Sequence, residues 1–218
     1  VVLVDNIDAP ENAVEKPRSA LVVRGRGKTN LIKGRNNAQV VKRASVRFLG
    51  TNNTLIIGAG VNLVDVRILF NGDDSVIEIG TRCKINGSLI VKSGSSISIG
   101  AGTKFNSQEA RVHCGEPGTN IIIGKKCLLA SVRFRTSDQH AIYDVATDER
   151  INPARDIQVG DNVWIAENVY VYKGVTIGAG SVVGARSTVL KSLPGGCLCV
   201  GTPAQPVREG IYWKDKIS

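Results

Sequence analysis

From Val159 onward the aliphatic residues fall six apart: Val159, Ile165, Val171, Ile177, Val183 and Val189. Two residues before each next anchor stands a second small or aliphatic residue, at Val163, Val169, Val175, Ser181, Ser187 and Leu193. An α-helix does not account for this, because positions six apart lie about 600° round its axis and share no face. A flat antiparallel strand alternates by two, without punctuation at six. A coil of triangular section, with three six-residue sides that each bury one aliphatic residue and turn on small ones, accounts for both sets. The pattern therefore predicts an all-β chain, a parallel β-helix of hexapeptide repeats.

Ile-Gly or Val-Gly pairs carry the pattern toward the N-terminus, at Ile57-Gly58, Ile79-Gly80, Ile99-Gly100, Ile123-Gly124, Val159-Gly160 and Ile177-Gly178. The last two are 18 residues apart, one turn of three hexads, and the earlier intervals of 22, 20, 24 and 36 require insertions. The longest interval holds a polar segment, Arg135 to Asp156, with no hexad register. It is predicted to be a long loop projecting from the coil, and such loops in compact repeats commonly carry function. Leu31–Gly34 and Phe48–Ile57, with Asn-rich turns at Asn36-Asn37 and Asn52-Asn53, predict irregular early coils. The expected division is a cap or arm over 1–30, the β-helix over 31–200 with its loop at 135–156, and a C-terminal tail over 201–218. A cap is physically needed, since an open solenoid end exposes core and strand edges.

Composition refines this picture. Aromatics are 5% of the chain against 42% hydrophobic residues, so aliphatic and small side chains must fill the core. The net charge of +9 favours anionic partners and says nothing about fold. No apolar run is long enough for a membrane span, and no secretory pattern opens the chain. With no Met in the sequence, residue 1 is not expected to be the natural start, and the chain is expected to be a fragment or processed form. Five cysteines without paired spacing argue for reduced thiols and a cytoplasmic setting. Cys83 and Cys127 take the buried small position of a hexad, while Cys197 and Cys199 fall in the last coil, packed or partly exposed. Neither Cys-x-x-Cys nor His-x-x-x-His occurs, so no metal site is expected. Gly27-Lys28-Thr29 looks like the end of a phosphate-binding loop, but Val22 stands where that motif needs Gly, which argues against a nucleotide site.

One resemblance is specific. Val159-Gly-Asp-Asn-Val-Trp164-Ile-Ala, Gly174-Val-Thr-Ile-Gly178 and Val200-Gly-Thr-Pro-Ala204 resemble the C-terminal half of hexapeptide-repeat O-acetyltransferases, left-handed β-helices that act on sugars. Thr136-Ser-Asp-Gln-His140-Ala-Ile-Tyr143 is similar to their catalytic loop. Glu149-Arg-Ile-Asn152 is most similar to the enzymes that modify sialic-acid capsules. The likeness runs from about Leu31 onward and is sharpest after Arg135.

Of the two histidines, His113 and His140, only His140 sits in the loop. A neutral imidazole, which ordinarily titrates near pH ~6.5, accepts a hydroxyl proton around neutrality. A solvent-exposed loop histidine is the plainer alternative. The resemblance makes His140 the general base, 24 residues before Trp164, which it places beside the acyl and acceptor site. It places an oxyanion donor at the backbone N–H of Glu167, although the Glu side chain departs from the Ser common there. A subunit contact is the plainer reading of Trp164, and an asparagine turn that of Asn106. The resemblance makes Asn106 an acceptor contact, with Arg135 and Tyr143 further acceptor-binding candidates. Ala185, Lys191 and Arg208 match coenzyme A-binding positions, so acetyl-CoA is the implied co-substrate.

The leading expectation is thus an acetyl-CoA-dependent O-acetyltransferase acting on a capsular or surface polysaccharide, forming a homotrimer. No nucleic-acid or membrane-spanning role is expected, and a place peripheral to polysaccharide-assembly machinery is. Arg133, Arg135, Arg150 and Arg155 near the loop favour an acidic, sialic-acid-like acceptor, the plainer reading being that they only solvate the coil's faces. The alternatives are an acetyltransferase for a small sugar, antibiotic or amino acid, and a non-catalytic structural solenoid. A metal hydratase of the carbonic-anhydrase type needs three ligating histidines, and the chain has two.

Overall fold

The computed structural model describes residues 2–4, 20–25, 27 and 29–215. They form a parallel β-solenoid whose wall has three faces. The first face is an eight-stranded ladder, from Val2–Val4 and Leu31–Lys33 through Thr54–Ile57, Val76–Ile79, Ser96–Ile99, Asn120–Ile123 and Ile157–Val159 to Thr176–Ile177. The second runs from Ala38–Val40 through Lys104–Phe105, Leu128–Leu129, Trp164–Ile165 and Val182–Val183 to Leu198–Gly201. The third runs from Val22–Gly25 and Ala44–Phe48 through Arg111–His113, Arg133–Arg135 and Tyr170–Tyr172 to Thr188–Val189. Two long strands, Val61–Asn71 and Lys84–Lys92, turn the corner from second to third face without a break. At that bend the ladder slips between Val64 and Val66, and Asp65 takes φ 49°.

The six-residue period is the period of burial. Val159, Ile165, Val171, Ile177, Val183 and Val189 are all buried, as are Val163, Val169, Val175, Ser181, Ser187 and Leu193. The hydrophobic members form one continuous core column with all four phenylalanines, of which Phe48 and Phe70 stack at 4.7 Å between ring centroids. Burial of apolar area at roughly 25 cal/mol per Å² is the main force holding the coils together.

The glycines of the Ile-Gly pairs have a packing cause. A Cβ on Gly160 would stand 2.6 Å from the backbone N of Ala179, one coil on, closer than real Cβ atoms come. Successive coils stack directly over these glycines, so any side chain there would pry them apart.

Two expectations are sharpened. At the second of the Asn-rich early turns, Asn53 belongs to an ordered buried stack with Asn30. Asn53 Nδ2 donates to Asn30 Oδ1 at 3.1 Å and to Gly72 O at 2.9 Å, and Ser75 N donates to Asn53 Oδ1 at 3.0 Å. The parallel ladders also continue below Leu31, because Val2–Val4 pairs with Leu31–Lys33 and Val22–Gly25 pairs with Ser45–Phe48. Lys28 of the Gly27-Lys28-Thr29 stretch lies outside the described residues.

All five cysteines are unpaired and buried, Cys197 and Cys199 included. Burial pushes the Cys114 thiol up to about 12 and that of Cys127 to about 11, so neither is a ready nucleophile. No helix among the described residues is long and apolar enough to cross a membrane.

After the last coil the chain reverses. Ala204–Arg208 pairs antiparallel with Leu198–Gly201, and the tail descends along the corner between first and second faces. There Ile211 N donates to Gly196 O, Trp213 Nε1 donates to Asn162 O at 2.7 Å, and Asp215 pairs with Lys104.

Candidate active site

The chain leaves the third face at Arg135 and rejoins the first at Ile157. Between them it forms a hairpin, with Tyr143 bridged antiparallel to Arg150 and Ile151 N donating to Ile142 O at 2.9 Å. Asp144 makes the tip, its Oδ1 accepting from the N–H groups of Ala146 and Thr147 at 2.9 and 3.0 Å. These bonds hold the Asp144 carboxyl below its ordinary pKa. Residues 138–149 are all exposed, so the hairpin draws almost nothing from apolar burial.

Polar groups at its base hold it instead. Asn152 is buried; its Oδ1 accepts from Ile142 N at 2.7 Å, and its Nδ2 donates to the carbonyl of His140 at 2.8 Å and to Asp138 Oδ2 at 2.9 Å. Lys173, from the next coil, pairs with Asp138 and donates to Asn152 O at 3.0 Å. Arg150 grips Glu116 of the coil below with two bonds, at 2.8 and 2.7 Å, and Ser137 donates to the same carboxylate. Arg150 first and Ser137 second drive the Glu116 carboxyl down to about 2. Buried Asn152 and two ion pairs therefore fix the backbone on both sides of His140, while its ring stays exposed.

Trp164 lies on the second face, in register with Leu128 and Val182. Its ring is 38% exposed and meets Trp213 of the tail at 6.1 Å. The hairpin rises from the corner between third and first faces, the corner opposite the second face. Within one chain, His140 and Trp164 therefore look out on different sides of the coil.

The other candidates divide between these two places. Asn106, Glu167 and Ala185 stand where the second face turns toward the third. Asn106 N donates to Leu129 O, and its Oδ1 accepts from Lys84 at 3.4 Å. Among the described residues, the N–H groups of Glu167 and Ala185 donate to no protein acceptor, as an oxyanion or pantetheine contact requires. Arg135, half-buried, and exposed Tyr143 belong to the hairpin side. Lys191 stands past the third face near the hairpin's corner, and Arg208 ends the strand that pairs with Leu198. The structure thus groups the candidates in two sets and does not join them within one chain.

One expectation is corrected. Arg150 is not available to an acidic acceptor, because both ends of its guanidinium fork are taken by Glu116. Arg133 is likewise engaged, over the Tyr170 ring at 5.3 Å and donating to its hydroxyl at 3.0 Å. The sequence reading missed Glu116, Asp138, Lys173 and Trp213. Only Trp213 carried a signal, as one of two tryptophans in an aromatic-poor chain. The ion pairs span 34 and 35 residues and leave no local pattern.

A triangular coil of hexads bearing one polar hairpin at a corner is the build of the hexapeptide-repeat transferases. Residues 156–191 match the family described as bacterial transferase hexapeptide (six repeats). A crystal structure of the polysialic acid O-acetyltransferase OatWY superposes with a TM-score of 0.82 at 31% identity, covering 90% of this chain and 93% of that one. The chain belongs to this hexapeptide-repeat transferase family. Two curated relatives are each a polysialic acid O-acetyltransferase. That of Escherichia coli O1:K1 / APEC is 36% identical over 138 residues, 63% of this chain and 44% of the relative. That of Neisseria meningitidis is 33% identical over 138 residues, 60% of each chain. The match thus spans about half the length of these relatives.

Proposed function

We propose that the protein is an acetyl-CoA-dependent O-acetyltransferase that modifies a sugar hydroxyl of an acidic capsular polysaccharide of the polysialic acid kind. The observation that carries this reading is the hairpin base, where buried Asn152 holds the carbonyl of His140 while the imidazole projects to solvent. Elaborate positioning of one titratable ring is what general-base catalysis needs. The relatives' activity supplies the substrate class.

In the proposed reaction, an imidazole nitrogen of His140 takes the proton of the acceptor hydroxyl as its oxygen attacks the thioester carbonyl. The new C–O bond gives a tetrahedral oxyanion, which the N–H of Glu167 stabilises by donation. Collapse breaks the C–S bond, and the imidazolium returns its proton to the departing coenzyme A thiolate. The products are the O-acetyl sugar and free coenzyme A, and His140 ends neutral. Ala185, Lys191 and Arg208 are the proposed coenzyme A contacts, the backbone N–H serving the pantetheine arm and the cations its phosphates. Asn106, Arg135 and Tyr143 are the proposed acceptor contacts.

Because His140 and Trp164 face apart in one chain, we assign the complete site to a junction between copies. His140 of one copy faces Trp164 of the next, in a closed homotrimer. The described strands Val2–Val4 and Val22–Gly25 are proposed to close the lower end of the solenoid, most of the expected cap over 1–30 lying outside the described residues, and the tail to close the corner beside Trp164.

The experiment is incubation with acetyl-CoA and either polysialic acid or neutral dextran, following acetyl incorporation by mass and thiol release by absorbance. Acetylation of polysialic acid well above dextran is expected. Equal rates on the two polymers at low salt would contradict the acidic acceptor, and transfer to neither would contradict the activity.

A further inference from the structure

The third face carries a second basic feature, away from the hairpin, that the proposed chemistry does not use. On its outer side, Arg24 and Arg47 stand directly opposite each other on neighbouring strands, and so do Arg111 and Arg133. Arg67 lies on the strand between these pairs, two residues out of register with Arg47, opposite Ser45, and separated from Arg111 by Ser88. Neighbouring strands are about 4.8 Å apart, and like charges in direct cross-strand register destabilise a sheet. Among the described residues, Arg24, Arg47, Arg67 and Arg111 make no ion pair. Asp65, the acidic residue lining the same surface, is held by Lys42 and Arg43 at 2.7 and 3.0 Å.

These side chains line an open groove of about 860 Å³. Folding offers no reason to place four exposed arginines along one wall; a ligand with repeated negative charge does. The groove's direction narrows the choice. The ladder it follows continues through Arg111 and His113 to Arg133 and Arg135, and the hairpin bearing His140 departs from Arg135. From the strand of Arg24 to that of Arg135 there are five strand spacings, roughly 24 Å. The positive field reaches the upper end, where burial first, then Arg135 and Lys92, lower the pKa of His113.

We propose that this arginine wall is a distal binding track for the anionic polymer acceptor, holding carboxylate-bearing residues of the chain remote from the hydroxyl being acetylated. Arginine forks pair with carboxylates in a geometry that lysines do not match. The track rests on the acidic-polymer reading above and adds a site to it. Contacts so far from the reacting atoms bind ground state and transition state alike, so they act on KM and leave kcat unmoved. Several weak contacts on one tether act together, and the advantage belongs to long acceptors.

The test compares the full chain with Arg47→Ser/Arg67→Ser/Arg111→Ser, three exposed changes whose folding is checked by thermal melting. Binding of end-labelled polysialic acid is measured by fluorescence anisotropy without acetyl-CoA. KM and kcat are then measured for the long polymer and for sialic acid dimer. The expected result is about tenfold weaker polymer binding, a matching rise in polymer KM, and a fall in the long-to-short ratio of kcat/KM toward one. Polymer binding as tight as wild type in the folded triple variant would overturn the proposal, as would no binding by wild type. Tighter binding of a DNA duplex than of polysialic acid would also overturn it, in favour of a nucleic-acid surface. Polymer binding that depends on the three arginines without any acetyl transfer would uphold the track and reject the enzymatic reading. His140→Ala is expected to bind the polymer as wild type does.

Discussion

At Phe134 the chain lies in a parallel ladder with its ring fully buried, and four residues later it has entered a hairpin with no buried side chain from 138 to 149. The wall is held by apolar burial in every coil. The hairpin is held by one buried amide, Asn152, and by the pairs Glu116–Arg150 and Asp138–Lys173. The two regions therefore answer to different forces. The wall should be indifferent to charge and intolerant of lost volume, while the hairpin should be the reverse. A site built this way can be tuned, or broken, without unfolding the scaffold that carries it.

The largest expected effect on stability comes from the wall. Phe134→Ala should cost about 3–5 kcal/mol, the usual loss for a buried phenylalanine, read as a lower midpoint of denaturant unfolding. His140→Ala should leave that midpoint within about 0.5 kcal/mol of wild type, as an exposed change does. It should nonetheless lower acetyl-transfer turnover on the order of 10²–10⁴-fold. A Phe134→Ala protein as stable as wild type would erase the distinction.

Next is the hairpin's principal anchor. Glu116→Gln keeps the shape and removes the charge that holds Arg150, so turnover should fall by roughly tenfold through misplacement of His140. Melting should shift little, and Glu116→Asp should recover part of the loss. Equal activity in Glu116→Gln would mean that the anchor does not position the ring.

A smaller effect concerns acid. The Glu116 carboxyl sits at about 2 in the folded chain, below the ordinary value near 4.3. A depressed folded pKa gives stabilisation that is complete above the unfolded value and lost as pH falls through the folded one. Hydrogen exchange at the amides of Asp144 and Ile151 should therefore lose protection between about pH 4.3 and pH 2, ahead of the wall amides. The Glu116→Gln chain should lack that component. The smallest effect is salt: the half-buried hairpin pairs should weaken slightly from low to physiological ionic strength, with wall stability unchanged.

The same contrast decides what was legible in the sequence. The six-residue period of Val159 to Val189 and the Ile-Gly pairs reflect contacts repeated in every coil, so they survive as periodicity. The 136–156 excursion was legible as the place where the period fails. Its internal order was not, because Glu116 and Lys173 meet Arg150 and Asp138 through coils stacked far apart in sequence. Arg150 looked like a free cation for the same reason. The stacked arginines of the third face were hidden too: which residues align across strands depends on insertions that break the spacing before Val159. Buried Asn53 looked like an ordinary turn residue, since only the stacking of coils reveals that its amide satisfies its neighbours.

Because the coil turns His140 and Trp164 apart within a chain, the proposed site needs His140 of one copy and Trp164 of another. Mixed oligomers test this most directly. His140→Ala and Trp164→Ala proteins, carrying different tags, are unfolded and refolded together, and mixed species are purified through both tags. Each parent alone should be nearly inactive in acetyl transfer to polysialic acid. Mixed oligomers should regain a substantial fraction of wild-type activity, since some junctions then hold both native residues. Mixed oligomers as inactive as their parents would contradict it.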